Sequence, residues 1–186
     1  MKNRLVICVA LACAALTPAS GAQWNVDHAK SRLWFSVLWS GQTFEATFKT
    51  WKADIQFDPA DLSHSHANVT IDLNSEASAA PDNDDGLKGA EGFAVTQFPT
   101  ARFETTNFTA KGGNNYLATG RLTLHGVSKT ITLPFALVFS GDSAHMTGKT
   151  VVLRTDFALG KGEWASASTI AHEVAITVDL TATKSH

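Results

Sequence analysis

Leu33-Trp34-Phe35-Ser36-Val37-Leu38-Trp39 and, a short turn later, Phe44-Glu45-Ala46-Thr47-Phe48-Lys49-Thr50-Trp51-Lys52-Ala53-Asp54-Ile55-Gln56-Phe57 decide how this chain folds. In the first stretch Leu33, Phe35, Val37 and Trp39 take every second position, the period of a strand with one buried face. In the second, Phe44, Ala46 and Phe48 hold even numbers, whereas Trp51, Ala53, Ile55 and Phe57 hold odd ones. A slip of one residue would send the later set to the opposite face. The spacing therefore predicts a β-bulge or sharp bend at Lys49-Thr50, the device that turns strands round a barrel corner.

The same alternation runs outward through the chain. Asp58-Pro59 stops the strand, because proline cannot donate to a ladder. Val69, Ile71 and Leu73 then alternate with Asn68, Thr70 and Asp72. Further strands are predicted over 102–109, 116–125, 128–139, 144–157 and 173–183. Gly112-Gly113-Asn114-Asn115, His125-Gly126 and Ser140-Gly141-Asp142 between them are turn sequences, which implies consecutive hairpins. Residues 74–99 lose the alternation. Leu87, Ala90 and Ala94 fall there at helical intervals behind Asp82, Asp84 and Asp85, predicting a short helix over 83–92 with acids at its positive end. About eight antiparallel strands and one helical excursion indicate an all-β barrel or sandwich. A closed eight-stranded barrel removes the sheet edges and leaves room for side chains or one elongated ligand.

Composition narrows the function. Lys2 and Arg4, an apolar run over 5–16 too short to span a bilayer, and Ser20-Gly21-Ala22 predict a signal peptide over 1–22, cleaved after Ala22, with one domain over 23–186. Cleavage removes Lys2 and Arg4 from the 15 basic residues and none of the 17 acidic ones, leaving a formal charge of −4. Phosphate binding wants a clustered basic excess, so no nucleic-acid partner is expected. Both cysteines, Cys8 and Cys13, lie inside the signal. A thiol-free mature chain excludes disulfides, thiolate catalysis and Cys-based zinc sites.

Catalytic motifs are scarce. There is no Gly-x-Ser-x-Gly elbow. Asp82-Asn83-Asp84-Asp85-Gly86 resembles part of a calcium loop, but Phe93 stands where the bidentate Glu is needed. His64-x-His66 offers two imidazoles, with His28, His125, His145 and His172 to complete a set, yet the pair sits in a serine-rich turn with no carboxylate spacing of a closed site. No metal, cofactor or catalytic residue is therefore assigned. Arg154 and Asp156 stand two apart in a predicted strand and so share a face. Eleven Phe and five Trp, without a catalytic motif, suit a container for an apolar ligand.

Several runs resemble the YceI-like family of exported lipid-binding proteins. They are Ala53-Asp54-Ile55-Gln56-Phe57-Asp58-Pro59-Ala60-Asp61-Leu62, Phe98-Pro99-Thr100-Ala101-Arg102-Phe103-Glu104-Thr105-Thr106 and Gly120-Arg121-Leu122-Thr123-Leu124-His125-Gly126-Val127-Ser128-Lys129. Leu133-Pro134-Phe135 fits as well, as does Arg154-Thr155-Asp156-Phe157-Ala158-Leu159-Gly160 followed by Gly162-Glu163-Trp164. The resemblance implies an extended lipocalin-like barrel of eight antiparallel strands with one short helical excursion. Its apolar cavity would hold a long isoprenoid chain, either an isoprenoid quinone or polyprenyl lipid, or a similar aliphatic amphiphile, in the periplasm and without catalysis. Combined with strand phase, it places Phe35, Val37, Trp39, Phe48, Ile55, Phe57, Ile71, Leu87, Phe93, Phe103, Leu122, Leu124, Leu133, Phe135, Met146, Phe157, Trp164 and Ile176 on the cavity walls. Tyr116, Arg154 and Asp156 would supply polar contacts. The chain departs from the family where Trp39 replaces a common His, Gly92-Phe93-Ala94-Val95 a Trp-Phe-Asp type of sequence, and Ala158 a common Gly.

Two rival readings stand beside the carrier. One is a metal-dependent or acid/base enzyme using His28, His64, His66 or His125. The other is an accessory partner of a membrane redox complex, touching the membrane or a b-type cytochrome transiently. A homodimer is compatible with each. Fold alone does not choose among them.

Overall fold

The computed structural model describes residues 21–185; the predicted signal lies, up to residue 20, outside them. The strands are β1 (Gln23–Val26), β2 (Arg32–Trp39), β3 (Gln42–Phe48), β4 (Trp51–Gln56), β5 (His66–Asp72), β6 (Glu76–Ser78), β7 (Thr100–Gly112), β8 (Asn115–Leu124), β9 (Val127–Ser140), β10 (Ser143–Leu153) and β11 (Glu173–Lys184), of which β1 and β6 lie outside the alternating segments. All their pairings are antiparallel. The order β1-β4-β5-β7-β8-β9-β10-β11 closes on itself through β1–β11, and β2-β3-β6 continues from β11 along the same three chain segments. β1 with β2, β3 with β4, and β5 with β6 are thus three long strands, each broken once. The fold is a closed eight-stranded up-and-down barrel, one of the two architectures the alternation allows and the one the family resemblance implies.

The breaks lie side by side. Lys49 N–H donates to the Ser75 carbonyl at 3.2 Å and Asp72 N–H to the Thr50 carbonyl at 3.0 Å, while Thr50 N–H donates to Ser75 Oγ at 2.9 Å. Single 3₁₀ turns, His28–Lys30 and Leu73–Ser75, break the neighbouring strands, capped by the Asp27 and Asp72 carboxylates. This is the predicted corner at Lys49-Thr50. It keeps Phe44 and Ala46 buried before the bend and Trp51 and Phe57 buried after it, which reconciles the even and odd sets.

From β7 to β10 the chain is a meander joined by two-residue loops, and a long connection over residues 154–172 leads to β11. His125 and Gly126 both have positive φ, 51° and 75°, the left-handed pair that matches strand twist in a tight hairpin. β7 carries a register shift between Thr105 and Asn107. Gly120 on β8 is where the inner wall is tightest, since a Cβ there would lie 2.6 Å from the Glu104 carbonyl oxygen and 2.7 Å from the Phe103 ring. Gly120→Ala is expected to cost about 2 kcal/mol through this overpacking. Urea titration checks it, and an unchanged midpoint would refute the tight contact.

The helix differs from its predicted bounds. α1 is Pro81–Lys88, not 83–92. Pro81 starts it early, because the first helical position needs no N–H. It ends early because Gly89 N–H caps the Asp85 and Gly86 carbonyls and Phe93 N–H returns to the Leu87 carbonyl at 2.6 Å. The strand predicted over 144–157 also ends sooner. Residues Arg154–Phe157 form a 3₁₀ turn closed by Ala158 at φ 55°. Residues three apart share a face there, so Arg154 and Phe157 are buried together while Asp156 is exposed. The shared face expected for Arg154 and Asp156 is thereby corrected.

Candidate ligand-binding cavity

Inward side chains of the eight strands leave two adjoining chambers whose walls present no polar surface. The first, of about 170 Å³, reaches toward the β9–β10 hairpin. The second, of about 120 Å³, lies under α1. Of the predicted wall residues, Ile55, Phe57, Phe103, Leu133, Phe135 and Met146 line the hairpin chamber. Phe35, Val37, Phe48, Leu87, Phe93, Leu124, Phe157 and Trp164 line the helix chamber. Ile71, Leu122 and Ile176 line both, together with Leu33.

Each end of the cavity has an aromatic closure. Phe57 meets Phe108 and Tyr116 edge-on at 5.1 and 5.4 Å, and Tyr116 stacks on Phe135 at 5.4 Å. Tyr116 therefore packs behind the hairpin-chamber wall and borders an outer groove with Lys111 and Lys149; it lines neither chamber. Phe139 follows the inward phase of Phe135 and Leu137 and lines the hairpin chamber, yet is 40 % exposed. At the other end Trp164 meets Trp39 at 5.1 Å. Trp39, expected on the wall, is instead the last residue of β2, bridging to Ile170. Its ring lies outside Trp164, over Phe44 and a surface hollow. Trp34 is on the outer face, under the Arg32 guanidinium at 4.5 Å.

Arg154 also lines the helix chamber, but with its methylene stem. Its guanidinium turns away: Nε donates to the Ala171 carbonyl at 3.0 Å, Nη1 to Leu159 at 3.1 Å and Nη2 to Ile170 at 2.7 Å. Burial pushes its pKa down from the usual value. The side chain thus clamps the loop that carries Trp164 and Ile170. Ala158, where the family commonly has Gly, holds the left-handed conformation of the 3₁₀ turn, a backbone that glycine adopts without steric cost.

A carboxyl pair fastens α1 to the barrel. Glu76 is 1 % exposed, and neither oxygen has a donor among the described residues unless Glu76 itself is protonated. Burial, then the negative charge of Asp84, push Glu76 up to about 7, with Lys88 opposing. Asp84 is also raised by burial, but hydrogen bonds from Ser78 Oγ and N–H outweigh that and hold it below its ordinary range. One proton shared by Glu76 and Asp84 removes one of the two neighbouring negative charges. Nothing in the alternation marks Glu76, which enters the structure through the short β6 edge.

The histidines are dispersed. His64 Nδ1 pairs with Asp61 at 2.7 Å and His66 with Asp54 at 3.8 Å. Asp61 also caps the 3₁₀ turn Leu62–His64. Among the described residues no group of three or more His, Cys, Asp or Glu is placed to hold a metal ion. Of the wall residues absent from the prediction, Leu33, Trp51 and Leu137 share the phase of predicted neighbours, while Trp24 stands on β1, which the alternation did not mark. Phe108 does not share that phase, because the register shift in β7 reverses its parity.

Comparison with known proteins agrees with this architecture. The model of the YceI-like domain matches residues 24–182. A UPF0312 protein of Vibrio campbellii is 29% identical over 167 residues, covering 85% of this chain and 88% of its own. The Salmonella arizonae protein YceI is 38% identical over 96 residues, 52% of this chain and 50% of its own. Among solved structures, Burkholderia cenocepacia BcnA superposes with a TM-score of 0.83 at 33% identity, covering 86% of this chain and all of the other. A polyisoprenoid binding domain from Saccharophagus degradans superposes at 0.66 with 17% identity, over 87% of this chain and 98% of its own.

Proposed function

The chain belongs to the YceI-like family, and on that premise we propose that it is a periplasmic, non-catalytic carrier for an isoprenoid tail, as in an isoprenoid quinone or polyprenyl lipid. The carrying observation is a closed barrel enclosing a cavity with wholly apolar walls. Such walls stabilise a bound tail by about 0.8 kcal/mol for each buried CH₂ and offer no group to hold a polar substrate for reaction. The Saccharophagus neighbour, a polyisoprenoid binding domain, supports the same ligand class. Export follows from the signal predicted over residues 1–22, and exchange of an apolar cargo implies transient contact with a membrane or a membrane protein.

Protein purified from the periplasmic fraction should start at Gln23 by intact mass and release an isoprenoid lipid on solvent extraction. Mass spectrometry of the extract reads the cargo. A mass retaining the first 22 residues would reject export, and protein that neither carries nor takes up any prenyl lipid would reject the carrier.

A further inference from the structure

The ladder between β9 and β10 stops partway. It runs from the pair Ser143 and Ser140 to the pair Gly148 and Phe135, while β9 reaches back to Val127 and β10 on to Leu153. Pro134 stands next in register, opposite Lys149, and has no N–H to give. A Cβ on Gly148 would lie 3.1 Å from the Pro134 carbonyl oxygen, so the Pro134 backbone faces β10 and its missing donor falls on that side. Proline inside a sheet marks an edge. From here the two strands run side by side without pairing to each other for roughly 15 Å, until β9 meets the 3₁₀ turn Arg154–Phe157. At the corner between β1 and β4, by contrast, the His28 ring packs against Trp51 at 4.5 Å. The β9–β10 seam is closed by side chains. Ile131, Leu133 and Thr150 line the hairpin chamber behind it, and Val152 lines the helix chamber.

Resting on the carrier reading, we propose that the β9–β10 seam is the portal through which the apolar tail of the cargo enters, sideways through the barrel wall. Each end of the cavity is shut by packed aromatic rings. Parting a laddered pair of strands would break backbone hydrogen bonds and leave their donors and acceptors unmatched. Parting β9 from β10 beyond Gly148 breaks no ladder bond between them and displaces Ile131, Leu133, Thr150 and Val152. Outside, the parting begins at the groove that Pro134, Gly148 and Lys149 share with Trp34. Val151, 57 % exposed, and Leu153, 41 % exposed, continue β10 from there as an apolar rim. A tail laid along that rim reaches both chambers without threading the length of the barrel. It comes to rest inside; the seam governs its way in and out.

The test bridges the seam from outside, where a link leaves the chambers unaltered. Thr132→Cys with Val151→Cys extends the β9–β10 register by one exposed thiol pair across the seam, and Val138→Cys with His145→Cys places a pair across the intact ladder. A chain starting at Gln23 has no other cysteine. A short bis-methanethiosulfonate joins each pair and a reductant releases it, with intact mass confirming the bridge. Uptake of a ubiquinone from phosphatidylcholine vesicles is timed by quenching of tryptophan emission. Bridging the seam should slow uptake by about tenfold or more, with full recovery on reduction, while bridging the ladder leaves the rate unchanged. Thr130→Cys with Leu153→Cys, farther along the seam, serves if the first pair fails to fold. Unchanged uptake through a bridged seam, or equal slowing by the ladder bridge, would overturn the portal and leave the carrier standing, with entry at a barrel end. Absence of uptake by the unsubstituted protein would overturn the carrier reading itself.

Discussion

Arg154→Met is expected to lower stability by about 3–5 kcal/mol, although methionine replaces much of the buried stem. The loss comes from acceptors. Three carbonyls, those of Leu159, Ile170 and Ala171, take their hydrogen bonds from this guanidinium, and each buried acceptor left unsatisfied costs about 1–3 kcal/mol. The desolvation of a charge with no carboxylate partner offsets part of this. Arg154→Lys should recover little, since a single ammonium cannot span three carbonyls as the guanidinium fork does. Equilibrium urea unfolding checks the prediction. A loss under 1 kcal/mol would show that the loop from Leu159 to Ala171 holds without the clamp. Trp164 and Ile170 ride on that loop, so the helix chamber should lose ligand affinity in the same variant.

Glu76 makes the second large effect one of pH. Its carboxyl is neutral in both folded and unfolded chains below its ordinary value of 4.5, and in the fold it stays neutral up to about 7. Between these values the unfolded chain ionises first, so stability present at low pH is lost as pH rises through about 7. The shift corresponds to a loss on the order of 3 kcal/mol. Glu76→Gln has no proton to lose and keeps an N–H donor toward Asp84, so its stability should stay flat through the window. Asp84, held low, acts in the opposite sense only below its ordinary value of 3.8. Unfolding free energies of both proteins at pH 5 and pH 8 give the comparison. The wild type should fall behind the variant by about 3 kcal/mol at pH 8, and an equal pH dependence would remove the shared proton from the account.

Most strands were legible in the sequence because one buried face writes a period of two, while the choice of barrel over sandwich came from the family resemblance. The phase slip at Lys49-Thr50 even located a corner, since only a bend keeps Phe48 and Trp51 on one side. Interior membership followed from parity wherever a strand was regular, as for Ile71, Leu122 and Ile176. It failed where one residue broke the count. The bulge before Asn107 hid Phe108. The strand predicted through residue 157 ends at Leu153, although Arg154 and Asp156, two apart and followed by an apolar Phe157, look like continued alternation. What replaces it, a 3₁₀ turn closed by a left-handed alanine, has no periodic signature. Trp39 has strand parity but lies past the end of the cavity, and parity says nothing of position along the axis. The division into two chambers and the meeting of Glu76 with Asp84 depend on contacts between distant strands, which a linear pattern does not encode.

The tryptophans lie in an arrangement with an optical consequence. Trp24 and Trp51 wall one chamber, Trp164 walls the other against Trp39, and Trp34 sits outside beneath Arg32. Three of the indoles therefore report on the interior, Trp39 senses it through Trp164, and Trp34 is an external reference in the same spectrum. Emission from Trp24 and Trp51 will follow filling of the hairpin chamber, and emission from Trp164 and Trp39 filling of the helix chamber. Single replacements by phenylalanine would separate the two signals, so the order in which the chambers fill can be timed in the unlabelled protein.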